Sequence, residues 1–152
     1  MSLLALDLGT KTGYAVGTPG AVVSSTYNCQ GNRFDGGGMR YLRFKRWLHD
    51  THHTTKFDEC VFEEVRGHKG VDAAHVYGAL LGVLTAWCEE NRIPYTGIPV
   101  GTIKKFATGK GNASKTEVIT AVRGWGYKPK DDNEADAIAL FHYRATEQGL
   151  LA

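Results

Sequence analysis

Cysteine is scarce in this chain, and its residues form no pattern of a metal site or a disulfide framework. Cys29, Cys60 and Cys88 are odd in number and widely spaced, without a Cys-x-x-Cys or neighbouring Cys/His pair. A zinc site or a set of disulfides would require such pairs. We therefore expect three reduced thiols and a fold that needs neither disulfide nor structural metal.

Long apolar runs, repeats, low-complexity tracts and linkers are also lacking. A membrane-spanning helix needs about 18 consecutive apolar residues, and we expect none here. The first residues, MSLLALDLGTKTG, contain an acid and no basic region, so we expect no signal peptide and a cytoplasmic protein. With 152 residues, 42% hydrophobic and 22% charged, the chain predicts one globular domain over residues 1–152.

The hydrophobic pattern predicts an α/β domain. Short apolar segments over 2–8, 14–17 and 21–28 are separated by glycine-containing turns, which favours an antiparallel three-strand meander. Two further strands and several flanking helices complete a mixed five-stranded sheet. The strands are predicted over 57–65 and 93–98, and the helices over 39–49, 71–91, 100–107, 114–123 and 132–146.

Three acidic positions interrupt segments that are otherwise apolar. Asp7 lies within LLALDL, and Glu63 and Glu64 lie within CVFEEV, so that one of the two glutamates faces the core. Asp136 lies where an acidic first helical turn meets an apolar stripe. Each acid taken alone could be a strand-end cap or a solvated helix acid. Three such acids together favour a shared site, because burying an uncompensated carboxylate is costly.

Clustered carboxylates repel one another unless a cation lies between them. A site made only of oxygen ligands suits Mg²⁺ or Mn²⁺ rather than zinc. Mg²⁺ held by a few carboxylates commonly takes its other ligands from water and phosphate. The pattern therefore indicates phosphoryl transfer or phosphodiester hydrolysis with two metal ions per site.

Basic residues gather in the segments around these acids, which fits a track for a phosphate backbone. A solvated charged surface is the alternative for each cluster. The clusters include Arg33, Arg40, Arg43 and Arg46 in and before the first helix, Arg66 and Lys69 after the glutamate strand, and Lys104, Lys110 and Lys115 further on.

The order and spacing of three motifs resemble the RuvC-type Holliday-junction resolvases of the RNase H-like superfamily. The motifs are LDLGT with GYAV, then VFEEV, then EADAIA, and the resemblance extends over nearly the whole chain. It implies a homodimeric, Mg²⁺-dependent endonuclease that resolves four-way DNA junctions by paired nicks. The compact length resembles phage and prophage members of that family.

The resemblance assigns roles to individual residues. Asp7, Glu63 and Asp136 match the catalytic acids, and the fourth metal contact falls to Asn133 or the adjacent Asp132. Lys104 and Lys115 match basic DNA contacts of the family. In the loop after the glutamate strand, the family often has an aromatic residue that enters the junction centre, and this chain has Arg66 there. The remaining DNA-contact predictions are Lys69, Lys110 and Arg40, and the predicted dimer face of the long helix comprises Tyr77, Leu80, Leu81 and Leu84.

Three other functions remain open at this stage. A broader nuclease acting on flaps and other branched DNA has nearly the same sequence features. A non-catalytic DNA-binding dimer could keep the fold, although all three acids are retained. The segment from Asp7 to Lys11 also resembles the first phosphate motif of actin-like ATPases and sugar kinases, but those proteins need two such domains.

Overall fold

The computed structural model describes residues 1–68 and 70–151. It contains five strands and five helices within those residues. The strands are β1 (Leu3–Asp7), β2 (Lys11–Thr18), β3 (Ala21–Asn28), β4 (Glu59–Glu64) and β5 (Tyr95–Pro99). The helices are α1 (Met39–Thr54), α2 (Val71–Glu90), α3 (Val100–Thr108), α4 (Lys115–Gly124) and α5 (Asp132–Glu147).

The strands form one mixed sheet in the order β3-β2-β1-β4-β5. Strands β1, β2 and β3 are antiparallel neighbours, whereas β4 pairs parallel with β1 and β5 pairs parallel with β4. The predicted fold class, a three-strand meander with two further strands and flanking helices, is therefore confirmed.

Side chains alternate between the two faces of the sheet, and each face is covered by its own helices. Leu3, Ala5 and Val61 pack with residues of α3, α4 and α5. Leu4 and Leu6 belong to the other core, which contains buried residues of α1 and α2. Because Asp7 and Glu63 continue the alternation of Ala5 and Val61, both acids point to the face that α5 covers.

Two elements are longer than the sequence pattern predicted. Strand β2 starts at Lys11, in a segment predicted as a turn, because it pairs with β3 along its full length from Lys11 to Thr18. Helix α1 continues to Thr54 rather than ending near residue 49. Its last turns are held by tertiary packing, since the His52 ring lies 4.6 Å from Phe57 and 5.6 Å from Trp87.

Helix α2 corrects one expectation. By length and composition alone it is apolar enough to cross a membrane, but its inner side packs on the sheet as in a core helix. Tyr77, Leu80 and Leu84, predicted at a dimer interface, are at most 8% exposed and lie in the core of the protomer itself. Leu81 is the one predicted interface residue that is only partly buried.

Candidate metal centre

The structure brings Asp7, Glu63 and Asp136 together at the carboxyl edge of the sheet. Asp7 ends β1, Glu63 is the next-to-last residue of the parallel neighbour β4, and Asp136 lies in the second turn of α5. One carboxylate oxygen from each of the three residues lies within 4.8 Å of the others. That spacing is short enough for the three side chains to share one metal centre.

Glycine at position 13 allows α5 to approach the sheet closely enough to deliver Asp136. Gly13 pairs with Asp7 across β1 and β2, and a Cβ at position 13 would overlap the backbone carbonyl of Asn133. The start of α5 is thus seated directly on the strand next to Asp7.

Two acidic residues fix the beginning of α5 to β3. Asp131 caps the helix by accepting from the Glu134 backbone N–H at 2.8 Å, and it accepts from the Thr26 hydroxyl at 2.8 Å. Glu134 is buried and accepts from the Ser24 hydroxyl at 2.8 Å and from the Lys130 N–H at 3.0 Å. The sequence reasoning missed this positioning role of Glu134, whose only signal is a glutamate next to small buried alanines.

The strand ends that carry Asp7 and Glu63 are also held by specific hydrogen bonds. The fully buried Thr12 hydroxyl donates to the Gly9 carbonyl at 2.6 Å and closes the turn after Asp7. The Tyr77 hydroxyl donates to the Glu63 carbonyl at 2.9 Å and accepts from the Val65 N–H at 3.1 Å. Tyr77 therefore holds the end of β4 rather than a dimer interface.

Burial raises the pKa of all three carboxyl groups, and repulsion by neighbouring carboxylates adds to the shift at Asp7 and Asp136. The pKa of Asp7 lies well above its ordinary value because of burial, the nearby charges of Glu63 and Asp136, and a hydrogen bond with Glu63. For Asp136, burial and the charges of Glu63 and Asp132 raise the pKa to about 7. Burial also raises the pKa of Glu63, although the Asp7 hydrogen bond and Lys104 act against it. Without a cation, burial and repulsion therefore favour the protonated forms of these carboxyl groups.

The predicted lysines and the predicted fourth contact lie beside this cluster. Lys104 lowers the pKa of both Glu63 and Asp136, and Lys115 lowers that of Asp136. Lys115 also forms an ion pair with Asp132 at 3.3 Å, and the charge of Asp132 acts on Asp7 and Asp136. Asp132 and Asn133 both lie in the first turn of α5, within the acidic environment of the site.

The donor set fits a hard divalent cation. The three clustered ligands are all carboxylates, and one Glu63 oxygen, Oε2, is buried without a hydrogen-bond partner among the described residues. A buried carboxylate oxygen with no partner is costly, and a cation would satisfy it. Oxygen-only ligands favour Mg²⁺ or Mn²⁺ over zinc or copper.

The other predicted DNA contacts are more scattered. Arg66 is exposed and pairs with Glu64 at 3.2 Å, and Lys110 pairs with Glu117 at 3.0 Å. Arg40 lines a cavity of about 420 Å³ beside the β1–β2 turn, together with Leu8, Thr10 and Val65. Lys69 lies outside the residues that the structure describes.

Comparison with known proteins agrees with the resemblance seen in the motifs. No model of a known protein family matches the chain. A crossover junction endodeoxyribonuclease RuvC from Nitratidesulfovibrio vulgaris is 28% identical over 149 residues, which cover 93% of this chain and 90% of that protein.

Solved structures show the same fold. Thermus thermophilus RuvC in complex with a Holliday junction substrate superposes with a TM-score of 0.79 at 24% identity, covering 98% of this chain and 96% of that one. A second T. thermophilus RuvC structure has a TM-score of 0.74 at 24% identity, with 98% and 97% covered. The yeast mitochondrial Holliday junction resolvase Ydc2 has a TM-score of 0.61 at 15% identity, with 98% and 84% covered. The chain therefore has the RuvC-type fold, and the predicted resemblance is confirmed.

Proposed function

We propose that this protein is a metal-dependent endonuclease that resolves four-way DNA junctions by paired symmetric nicks. The observation that carries the proposal is the carboxylate cluster of Asp7, Glu63 and Asp136 at the edge of a RuvC-type sheet. The relative from N. vulgaris is named a crossover junction endodeoxyribonuclease, and one similar structure holds a Holliday junction. Both support the same substrate for this chain, and we place its action on DNA in the cytoplasm.

Asp7, Glu63 and Asp136 would hold two Mg²⁺ ions, with Mn²⁺ as a plausible substitute and Asp132 or Asn133 as a further contact. When bound, such ions would supply the chemistry of phosphodiester hydrolysis, namely a more acidic water and stabilisation of negative charge on the leaving oxygen. The three carboxylates would hold and position the ions, and they must be deprotonated before they can bind metal. Lys104 and Lys115 supply positive charge beside Asp136, where the scissile phosphate would bind. The products are a 5′-phosphate and a 3′-hydroxyl.

Paired nicks require two active sites, and we propose that the outer side of α2 forms the homodimer interface. Gly78 and Gly82 lie in the interior of this helix, and a Cβ at either position would meet nothing within 4 Å. Glycine in a helix interior costs about 1 kcal/mol relative to alanine, and no contact among the described residues of the protomer offsets that cost. Close packing against the same helix of a second copy would use both glycines, with Leu81 beside them.

A broader nuclease for flaps and other branched DNA is the second candidate. The exposed Arg66 in the loop after β4 favours it, since this chain carries a cation where an aromatic would stack at a crossover. A guanidinium contacts phosphates of many branched substrates equally well.

Cleavage of a labelled immobile four-way junction tests the proposal. The wild-type protein is compared in Mg²⁺ and in EDTA, with a flap and a linear duplex as parallel substrates. We expect metal-dependent, symmetric nicks confined to the junction, and their loss in Asp7→Asn with junction binding retained. Asp50→Asn, which changes an exposed acid of α1, is the matched control and is expected to cut normally.

Each other outcome has a definite meaning. Equal cutting of flaps and junctions would establish the broader nuclease instead. Tight binding without cutting in any divalent metal would identify a non-catalytic DNA-binding dimer. Undiminished nicking by Asp7→Asn would reject the assignment of this carboxylate cluster.

A further inference from the structure

Phe34 is the most exposed large hydrophobic side chain among the described residues. Its exposed fraction is 83%, whereas all other exposed large hydrophobic residues lie between 38% and 69%. The Arg33 guanidinium lies over the Phe34 ring, 4.8 Å from its centroid. A guanidinium over one face of an aromatic ring leaves the opposite ring face for a planar ligand and adds a positive charge beside it.

The loop that carries Phe34 is held in a defined shape. The Phe34 N–H donates to Asn32 Oδ1 at 2.8 Å, and the Asn32 N–H donates to Asp35 Oδ2 at 3.0 Å. Arg43 of α1 donates to the same Asp35 oxygen at 2.7 Å. These bonds fix the backbone around the ring while the ring itself stays in solvent.

The loop lies at the same edge of the sheet as the carboxylate cluster. It follows the end of β3, where the N–H of the buried Cys29 donates to the Thr10 carbonyl at 3.0 Å. Thr10 lies three residues after Asp7 in the sequence. Arg40 lies between the Phe34 loop and the β1–β2 turn, because it lines a cavity beside each of them. One lies under the loop, with about 340 Å³, and the other lies beside the β1–β2 turn.

The charges around the ring match a polyanion. Arg33, Arg40 and Arg43 all lie within ten residues of Phe34, and the one carboxylate in that stretch of sequence, Asp35, is already paired with Arg43. Asp72 of α2 lines the cavity beside Arg40. Arginines beside an exposed aromatic ring are the pattern that proteins use to hold the backbone and the bases of unstacked nucleic acid. A base inside a continuous duplex presents no free face, whereas a base at a branch point can.

We propose that Phe34, flanked by Arg33, is a stacking platform for an unstacked nucleobase at the branch point of the DNA substrate. This inference rests on the proposed function and adds a residue that recognises the branch. The platform would also supply the aromatic surface that Arg66 does not provide in the loop after β4.

The test compares equilibrium binding of a four-way junction and of a linear duplex with the same arm sequence. All proteins carry Asp7→Asn so that the DNA stays intact, and the variants are Phe34→Ala, Phe34→Leu and Phe34→Trp. We expect Phe34→Ala to weaken junction binding about 5- to 150-fold, the range for loss of one stacked base, without changing duplex binding. Phe34→Trp should retain junction binding and Phe34→Leu should not.

Val23→Ala is the matched control, because Val23 is another exposed apolar side chain, 62% exposed on β3. It should bind both DNAs as the parent protein does. In addition, 5-iodouracil at the branch point should photocrosslink to the peptide containing residue 34, and the same base within an arm should not. The melting temperature and the oligomeric mass should be unchanged in Phe34→Ala.

The failures of the two proposals are distinguishable. If the parent protein shows no preference for branched over linear DNA, the proposed function fails. If the parent protein prefers the junction but Phe34→Ala or Phe34→Leu binds it equally well, the stacking platform is overturned and the function stands. A changed oligomeric mass in Phe34→Ala would instead identify the ring as a protein contact and likewise overturn the platform.

Discussion

Replacing Asp136 by asparagine should stabilise the metal-free protein at alkaline pH while abolishing cleavage. The pKa of Asp136 is raised from 3.8 to about 7 by burial and by the charges of Glu63 and Asp132. Between these two pH values the folded protein keeps a proton that the unfolded chain has released. The stability of the metal-free protein therefore falls as the pH rises through this window.

The magnitude follows from the width of the window. About three pH units correspond to at most about 4 kcal/mol lost by pH 8. Asp136 is partly exposed, so we expect about half of that, or about 2 kcal/mol. An uncharged asparagine of similar shape avoids this loss, and in a protein of this size about 2 kcal/mol corresponds to about 4–8 °C in melting temperature.

The assay is thermal unfolding in EDTA at pH 8 and pH 5, followed by addition of Mg²⁺ or Mn²⁺ at pH 8. Asp136→Asn should melt higher than the wild type at pH 8, with less than half of the difference left at pH 5. Divalent metal should raise the melting temperature of the wild type and have much less effect on the variant. Asp50→Asn, at an exposed position on α1, should show neither effect.

The reasoning is refuted if Asp136→Asn melts at or below the wild-type temperature at pH 8 in EDTA. It is also refuted if the difference between the two proteins does not change between pH 8 and pH 5. In either case the three carboxylates would not repel one another as their spacing within 4.8 Å requires.

Three further predictions concern the residues that position the cluster and the dimer. Gly13→Ala should unfold the protein or lower its melting temperature by at least about 5 °C, because the added Cβ would overlap the backbone at the start of α5. Gly20→Ala is the control in the same calorimetric measurement, because a Cβ at position 20 meets nothing within 4 Å. Tyr77→Phe removes two hydrogen bonds at the end of β4 and should cost about 1–3 kcal/mol in urea unfolding, with a lower cleavage rate; an unchanged unfolding midpoint would contradict this role. Gly78→Ala should raise helix stability by up to about 1 kcal/mol but weaken the dimer in analytical ultracentrifugation, and an unchanged dimer affinity would place the interface elsewhere.

The acidic cluster could be predicted because each of its members breaks a local hydrophobic pattern. Asp7 and Glu63 occupy core-facing positions of adjacent strands; strand periodicity predicted that one of Glu63 and Glu64 faces the core, and the family resemblance selected Glu63. The side-by-side parallel pairing of β1 and β4 then brings the two acids to one edge. The pattern around Asp136 indicated a helix whose acidic turn meets the core, and this is what α5 provides.

The inner and outer faces of α2 could not be separated by periodicity, because the helix is apolar around most of its circumference. The bulky residues Tyr77, Leu80 and Leu84 were predicted at a dimer interface, but they pack in the core against the sheet. The outer face is instead marked by Gly78 and Gly82, which a hydrophobicity pattern does not register as a contact surface. Large apolar side chains fill the nearest core, and small residues allow close approach of a second helix.

Contacts between distant segments were the other part that sequence could not supply. The hydrogen bond between Ser24 and Glu134 joins residues separated by 110 positions, and it helps to seat the helix that carries Asp136. A glutamate in a first helical turn is also expected at an exposed position, where it interacts favourably with the helix dipole. The burial of Glu134 therefore could not be predicted without knowing where β3 lies. The role of Gly13 likewise depends on a tertiary contact, because only the position of α5 shows that a side chain at residue 13 would not fit. The carboxylates of the cluster could therefore be predicted from local sequence patterns. The residues that position those carboxylates, such as Gly13 and Glu134, could be identified only from the folded structure.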